Sequence, residues 1–161
     1  MMEVELKLLV LLVVANGAPI IARHLMRDCC TWPLDGGMRT VSGQPILGAS
    51  KTWRGLFAAL LLTAAIAPLL GIEWRWGALI GGLAMLGDLI ASFIKRRLGY
   101  PPSSQAIGLD QIPESLVPLL FIAPVFPLPW WSVLIVVTAF AVVVPILSWL
   151  FFLIGVRRRP Y

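Results

Sequence analysis

The stretch Gly87-Asp88-Leu89-Ile90-Ala91-Ser92-Phe93-Ile94-Lys95-Arg96-Arg97 sets an acid, a hydroxyl and a run of cations at the end of a long apolar segment. At helical pitch Asp88, Ser92 and Lys95 stand at i, i+4 and i+7, on one face, with Arg96 beside them. Asp88 then lies about 10 Å deeper than Lys95, at about 1.5 Å of rise per residue. A carboxylate at membrane depth costs about 3 kcal/mol unless it meets water, a cation or a metal. Two readings are open at this point. Asp88 marks a functional site, the default for an intramembrane ionisable group, or it pairs with a basic residue of another helix for assembly alone.

Two further stretches carry similar residue types. Gly48-Ala49-Ser50-Lys51-Thr52-Trp53-Arg54-Gly55 brings small residues, hydroxyls and two cations to the start of an apolar run. Glycine lets backbone N–H groups approach a phosphate, and a helix N-terminus adds a favourable dipole. Gly43 and Gly48 have the separation of a P-loop, but Ala49 stands where its lysine belongs. The alternative is a basic turn at the membrane surface with Trp53 as an interface anchor. In Gly108-Leu109-Asp110-Gln111-Ile112-Pro113-Glu114, Asp110 reads as a helix N-cap with Pro113 in the first turn. Glu114 is four residues on, so the two carboxylates can share a face. Asn16, beside Gly17 and Pro19, either bonds a neighbouring helix or contacts substrate.

Carboxylates favour Mg²⁺, which is usually held by one or two of them together with substrate phosphates. Lysine and arginine neutralise phosphate charge, and phosphoryl-type transfer is mainly positioning and electrostatics. Such a set at a bilayer surface suits the joining of a water-soluble phosphate compound to a lipid headgroup.

The elements that must position these residues are membrane spans. The chain has 161 residues, 59% hydrophobic and only 13% charged, with mean hydropathy +0.89; a soluble domain averages about 25% charged. Hydropathy predicts an all-α integral membrane protein with five spans, near 6–22, 54–71, 76–94, 112–127 and 131–155. Of the 13 Lys and Arg, only Lys7 and Arg75 fall on one side of these spans. The positive-inside rule therefore places the N-terminus outside and the C-terminus, with Arg157-Arg158-Arg159, in the cytoplasm. Glu3 and Glu5 before the first span and Arg23 after it reverse the pattern of a cleavable signal. The net charge of +5 follows this asymmetry and does not mark a nucleic-acid surface. Neither the adjacent Cys29-Cys30 nor the single His24 has zinc-site spacing. A small transporter or channel would need polar residues along a path to the outer side, and an inverted repeat; neither is visible. A non-catalytic assembly subunit leaves Lys51 and Asp110 without a role.

Together Gly48 to Gly55, Gly87-Asp88 through Arg97, Leu109-Asp110-Gln111, Asp35-Gly36 and the five-span layout resemble the CDP-archaeol synthase family. That family is related to the bacterial CDP-diacylglycerol synthases. The resemblance covers nearly the whole chain, as one transmembrane cytidylyltransferase-like domain over 1–161. It implies a Mg²⁺-dependent enzyme of phospholipid biosynthesis that turns CTP and a phosphorylated lipid into a CDP-lipid and pyrophosphate. By position it implies Lys51, Asp88, Lys95 and Asp110 as catalytic residues, with Asp88 and Asp110 at the metal. Gly48, Ser50, Thr52, Arg54, Ser92 and Arg96 would surround the nucleotide phosphates. Asn16, Asp35 and Glu114 would face the lipid substrate. Ala49-Ser50 precedes Lys51 where Lys-Gly is more usual, and Pro113-Glu114 replaces an Asp-Phe-like pair, so archaeol-type and diacylglycerol-type acceptors both stand. The implied partners are CTP, the lipid phosphate and bulk membrane lipids, with no nucleic acid; a homo-oligomer is left open. The implied location is the cell membrane (the inner one where there are two), multi-pass, with the active site facing the cytoplasm.

Overall fold

The structure, a computed structural model, describes residues 2–41, 43–101 and 104–156; the Arg157–Arg159 topology signal lies outside them. Five α-helices follow one another: α1 Met2–Met26, α2 Trp53–Ile66, α3 Trp74–Arg97, α4 Gln111–Ile122 and α5 Trp130–Leu153. A 3₁₀ turn, Ala67–Leu70, extends α2 to a total of 18 residues. Four of these elements are long and apolar enough to cross a membrane, in agreement with the hydropathy of the sequence. The fourth expected span is shorter than 112–127: α4 has 12 residues and stops at Ile122. The cause is Pro124, Pro127 and Pro129, which cannot donate to a helical ladder and turn the chain instead.

α3 is the central element and packs against α1, α2 and α4, while α1 and α4 also meet α5. Its contact with α2 is made by absent side chains. A Cβ on Gly77 would lie 2.4 Å from the Thr63 carbonyl oxygen, and one on Gly81 would lie 2.2 Å from Thr63 Oγ1. Gly77 and Gly81, four residues apart on one face of α3, thus let the two helices meet at close range. Leu8, Leu11 and Leu12 of α1, Ile80 of α3, Leu119 and Ile122 of α4, and Phe140 of α5 form the core between the helices. Outward faces stay apolar too, with Leu61, Phe121, Leu134 and Trp149 exposed, as expected where lipid replaces water.

This order brings the end of α1, the starts of α2 and α4, and the ends of α3 and α5 to one end of the bundle. Most of the described Lys and Arg gather there. The long connection between α1 and α2 folds over that end without a strand among its described residues, held by isolated bridges Pro33–Thr52 and Arg39–Pro45.

Candidate active site

The polar face of α3 is occupied by two acid–base pairs, each made with a different neighbour. Lys51, on the loop just before α2, places its Nζ 2.7 Å from Oδ1 and 2.6 Å from Oδ2 of Asp88. Two turns along α3 the polarity reverses. Lys95 Nζ lies 2.5 Å from Oδ1 of Asp110 at the start of α4, and it also donates to the Ser104 carbonyl at 2.8 Å. Ser92 is buried between the two levels. Arg96 is buried as well; its Nη1 donates to the Tyr100 carbonyl at 2.6 Å, and its Nε has no partner among the described residues. The face predicted from spacing thus forms, and its acid and base point to opposite flanks.

Asp110 stands at the N-cap position of α4, as its sequence suggests, but its side chain does not cap the helix. Asp110 is itself helical in φ and ψ and makes no side-chain cap. Its backbone N–H already bonds the Ala106 carbonyl, and its Oδ2 accepts from the Ala106 N–H at 2.8 Å. The carboxylate faces back along the chain because Lys95 holds its other oxygen there.

Glu114 does not join Asp110 in one pair. It is buried on α4, and Asn16 Nδ2 of α1 donates to its Oε1 and Oε2 at 2.8 and 2.9 Å. Of the two roles open to Asn16, the bond to a neighbouring helix is present. Gly87 permits this arrangement: a Cβ there would sit 2.1 Å from the Pro113 carbonyl oxygen and 2.7 Å from Glu114 Cα. The close approach of α3 to α4 brings Asp88, Lys51 and Asp110 within electrostatic range of Glu114.

The loop before α2 is organised by Asp35. Its Oδ1 accepts from the Gly37 N–H at 3.0 Å, and its Oδ2 accepts from Leu47 and Gly48 at 2.9 and 3.3 Å. Burial pushes the Asp35 carboxyl up, but these three donors together hold it below the usual carboxylate range. Asp35 therefore binds its own loop. Gly48 turns the chain at φ +103°, a conformation that L side chains rarely adopt. Thr52 caps α2, its Oγ1 accepting from the Gly55 N–H at 3.2 Å. Ser50 is exposed beside Lys51. Arg54 turns away from them, its Nη1 donating to the carbonyls of Arg27 and Cys29 at 2.8 and 2.6 Å. That is where the carbonyls at the end of α1 need partners.

Among the described residues no three His, Cys, Asp or Glu cluster as a metal site. The chain offers a hard cation separate carboxylates, Asp88 and Asp110, each already facing a lysine. That set fits Mg²⁺ carried in with phosphates, which supply its other oxygens. Two residues had no role from the sequence. Gln111 is buried with Oε1 accepting from the Gly108 N–H at 2.8 Å, which fixes the turn into α4. Ser148 of α5 is a buried hydroxyl without a partner among the described residues; its one signal was polarity within an otherwise apolar run.

Known proteins share this architecture. Residues 75–161 match the family model described as CarS-like, CDP-archaeol synthase. The CDP-archaeol synthase of Pyrococcus furiosus is 37% identical over 145 residues, covering 84% of this chain and 81% of that protein. That of Pyrococcus horikoshii is 36% identical over 128 residues, covering 73% of each. A solved structure described as "Structural insight into an intramembrane enzyme for archaeal membrane lipids biosynthesis" shares the fold, with TM-score 0.74. It covers 88% of this chain and 90% of that one at 24% identity. The chain belongs to the CDP-archaeol synthase family and is an integral membrane nucleotidyltransferase.

Proposed function

We propose that the protein transfers the cytidylyl group of CTP to a phosphorylated membrane lipid, forming a CDP-lipid and releasing pyrophosphate. The observation that supports this most is the pair of acid–base contacts side by side on α3, Lys51–Asp88 and Lys95–Asp110. Each lysine is a ready phosphate partner and each aspartate a ready cation ligand. When a triphosphate arrives with its metal, the lysines can turn to phosphate oxygens while the aspartates turn to the ion. Charges then exchange partners without any being left bare in a low-dielectric site, where an unpaired charge is costly.

In the reaction an oxygen of the lipid phosphate attacks the α-phosphorus of CTP. The bond from that phosphorus to the bridging oxygen breaks, and pyrophosphate leaves with the electron pair. Lys51, Lys95 and Arg96 would hold phosphate oxygens and offset the charge that develops on them. Ser50, Ser92 and the Gly48 turn border the same space. Asp88 and Asp110 would hold Mg²⁺, which lowers the charge of the phosphates and stabilises the leaving pyrophosphate. Glu114 and Asn16 lie on the α1–α4 side, where the lipid phosphate would enter. The relatives are named for archaeol, so an archaeol-type phosphate is the first acceptor to test and a diacylglycerol phosphate the second. The distribution of basic residues supports a site facing the cytoplasm, where CTP is available.

Detergent-purified protein given CTP labelled at the α-phosphate, Mg²⁺ and a panel of lipid phosphates should yield labelled CDP-lipid, and chelation should stop it. No labelled product with any member of the panel would overturn the reading. Orientation is tested by single-cysteine labelling in a Cys29/Cys30-free background. A cysteine at position 39 should stay unlabelled from outside intact cells.

A further inference from the structure

Between α1, α2 and α5 lies an apolar cavity of about 190 Å³, walled by Val13, Ile20, Leu62, Val144 and Phe151. Three other residues give it direction. Asn16 lines it and bonds Glu114 of α4, which stands within electrostatic range of Asp88 and Lys51. Gly17 lines it with nothing within 4 Å of where a Cβ would stand, so the missing side chain is open space. Ser148 also lines it, with 7% of its surface exposed, and its buried Oγ has no hydrogen-bond partner among the described residues. A buried hydroxyl without a partner is costly in an apolar wall. A tail that is hydrocarbon throughout leaves that donor unmet; a chain joined through an oxygen meets it.

We propose that this cavity seats the first segment of one hydrocarbon chain of the phosphorylated lipid substrate. The Ser148 hydroxyl donates to the ether or ester oxygen that joins this chain to the glycerol. Asn16, bonded to Glu114, marks the side nearer the phosphate at Lys51 and Asp88. The placement of the substrate rests on the cytidylyl-transfer reading above; the cavity and its unmet donor do not. The site is specific in class: it takes a branched or straight chain attached through oxygen, and its walls are too apolar for a headgroup.

The test uses the full chain in detergent with a lipid phosphate carrying a diazirine near the start of one chain. Photolysis should label residues within 13–21 and 144–151, and Gly17→Leu, which fills the open space with a better helix former, should remove that label. The same variant should raise KM for the lipid phosphate at least tenfold while KM for CTP stays unchanged. Val144→Phe closes the cavity from the other wall and serves if Gly17→Leu fails to fold. Ser148→Ala should raise KM several-fold for glycerol-based lipid phosphates and leave a long-chain alkyl phosphate, which lacks the linking oxygen, unaffected. Label found elsewhere, or equal labelling by a diazirine lipid without the phosphate, would overturn the proposal, the latter as bulk lipid only. Wild-type protein that labels in the cavity yet forms no CDP-lipid would keep the cavity and sink the proposed reaction. CDP-lipid formation with label elsewhere would do the reverse.

Discussion

The two acid–base pairs on α3 have the same chemistry and different settings. Lys51 and Asp88 are about equally accessible, at 19% and 21% of their side-chain surface, and both carboxylate oxygens receive the one ammonium. In the other pair Lys95 is 8% accessible, and the backbone joins in, through the Ser104 carbonyl on the lysine and the Ala106 N–H on Asp110. The first pair is a contact between two side chains that can part and rejoin. The second ties the loop before α4 to the end of α3. One α-helix therefore carries a pair fit for exchange and, two turns on, a pair that also anchors a loop.

That contrast can be broken by substitution. Asp88→Asn keeps the shape and removes the charge that a metal and Lys51 require. Transfer should fall by about a thousandfold or more, since metal stabilisation of developing charge is worth several kcal/mol and about 1.4 kcal/mol is tenfold in rate. Thermal stability should hold or rise, because a carboxylate at membrane depth is costly. A stable Asp88→Asn protein with near-wild-type transfer would move the metal role to Asp110 and Glu114. Lys51→Ala should cost about a hundredfold in transfer, the scale of removing one preorganised charge-stabilising donor. It should lower the melting temperature too, because Asp88 loses the cation that both its oxygens face.

Lys95→Met should weigh more on stability. It strands the Asp110 carboxylate and the Ser104 carbonyl, and about 2 kcal/mol of stability should go, less than for a fully buried pair because Asp110 is partly solvated. Activity per folded molecule should fall as well, since Lys95 would hold a phosphate oxygen; thermal unfolding and transfer on the same sample separate the two losses. An unaltered melting temperature would mean that the second pair anchors nothing and serves exchange alone.

The smallest effect is expected from Asp35, which anchors the loop by itself. Its folded carboxyl is held below the ordinary range, so the unfolded chain binds the proton more readily. Its contribution to stability is thus complete above the unfolded value of about 3.9 and is lost as pH falls through the folded one. Asp35→Asn should flatten the acid limb of stability against pH below about pH 4, and unfolding midpoints measured on both proteins check it.

Much of this was legible in the sequence because each signal was local. Hydropathy located the helices, and the i, i+4, i+7 spacing found the face of α3. What was hidden depended on partners distant in the chain. Asp110 looked like a cap because caps are local, but Lys95 draws its carboxylate away from the helix it precedes. The bond from Asn16 to Glu114 spans 98 positions, and no spacing rule reaches that far. The resemblance implied Arg54 at the nucleotide phosphates; its bonds to the carbonyls of Arg27 and Cys29, 27 and 25 positions away, had no signal in the sequence. The acid of one motif and the base of another had to be matched in space before either pair existed.

The proline turn after α4 bears on how the chain enters the bilayer. Between Ala123 and Pro129 the N–H groups of Ala123, Val125, Phe126 and Leu128 all find carbonyls within the segment or the last turn of α4. The other three positions are prolines and have no N–H at all. The segment is irregular in shape yet has no bare donor, which is the property that lets a helix cross hydrocarbon. The bend between α4 and α5 therefore brings no unmet N–H to the apolar layer, and only its carbonyls call for water or headgroups.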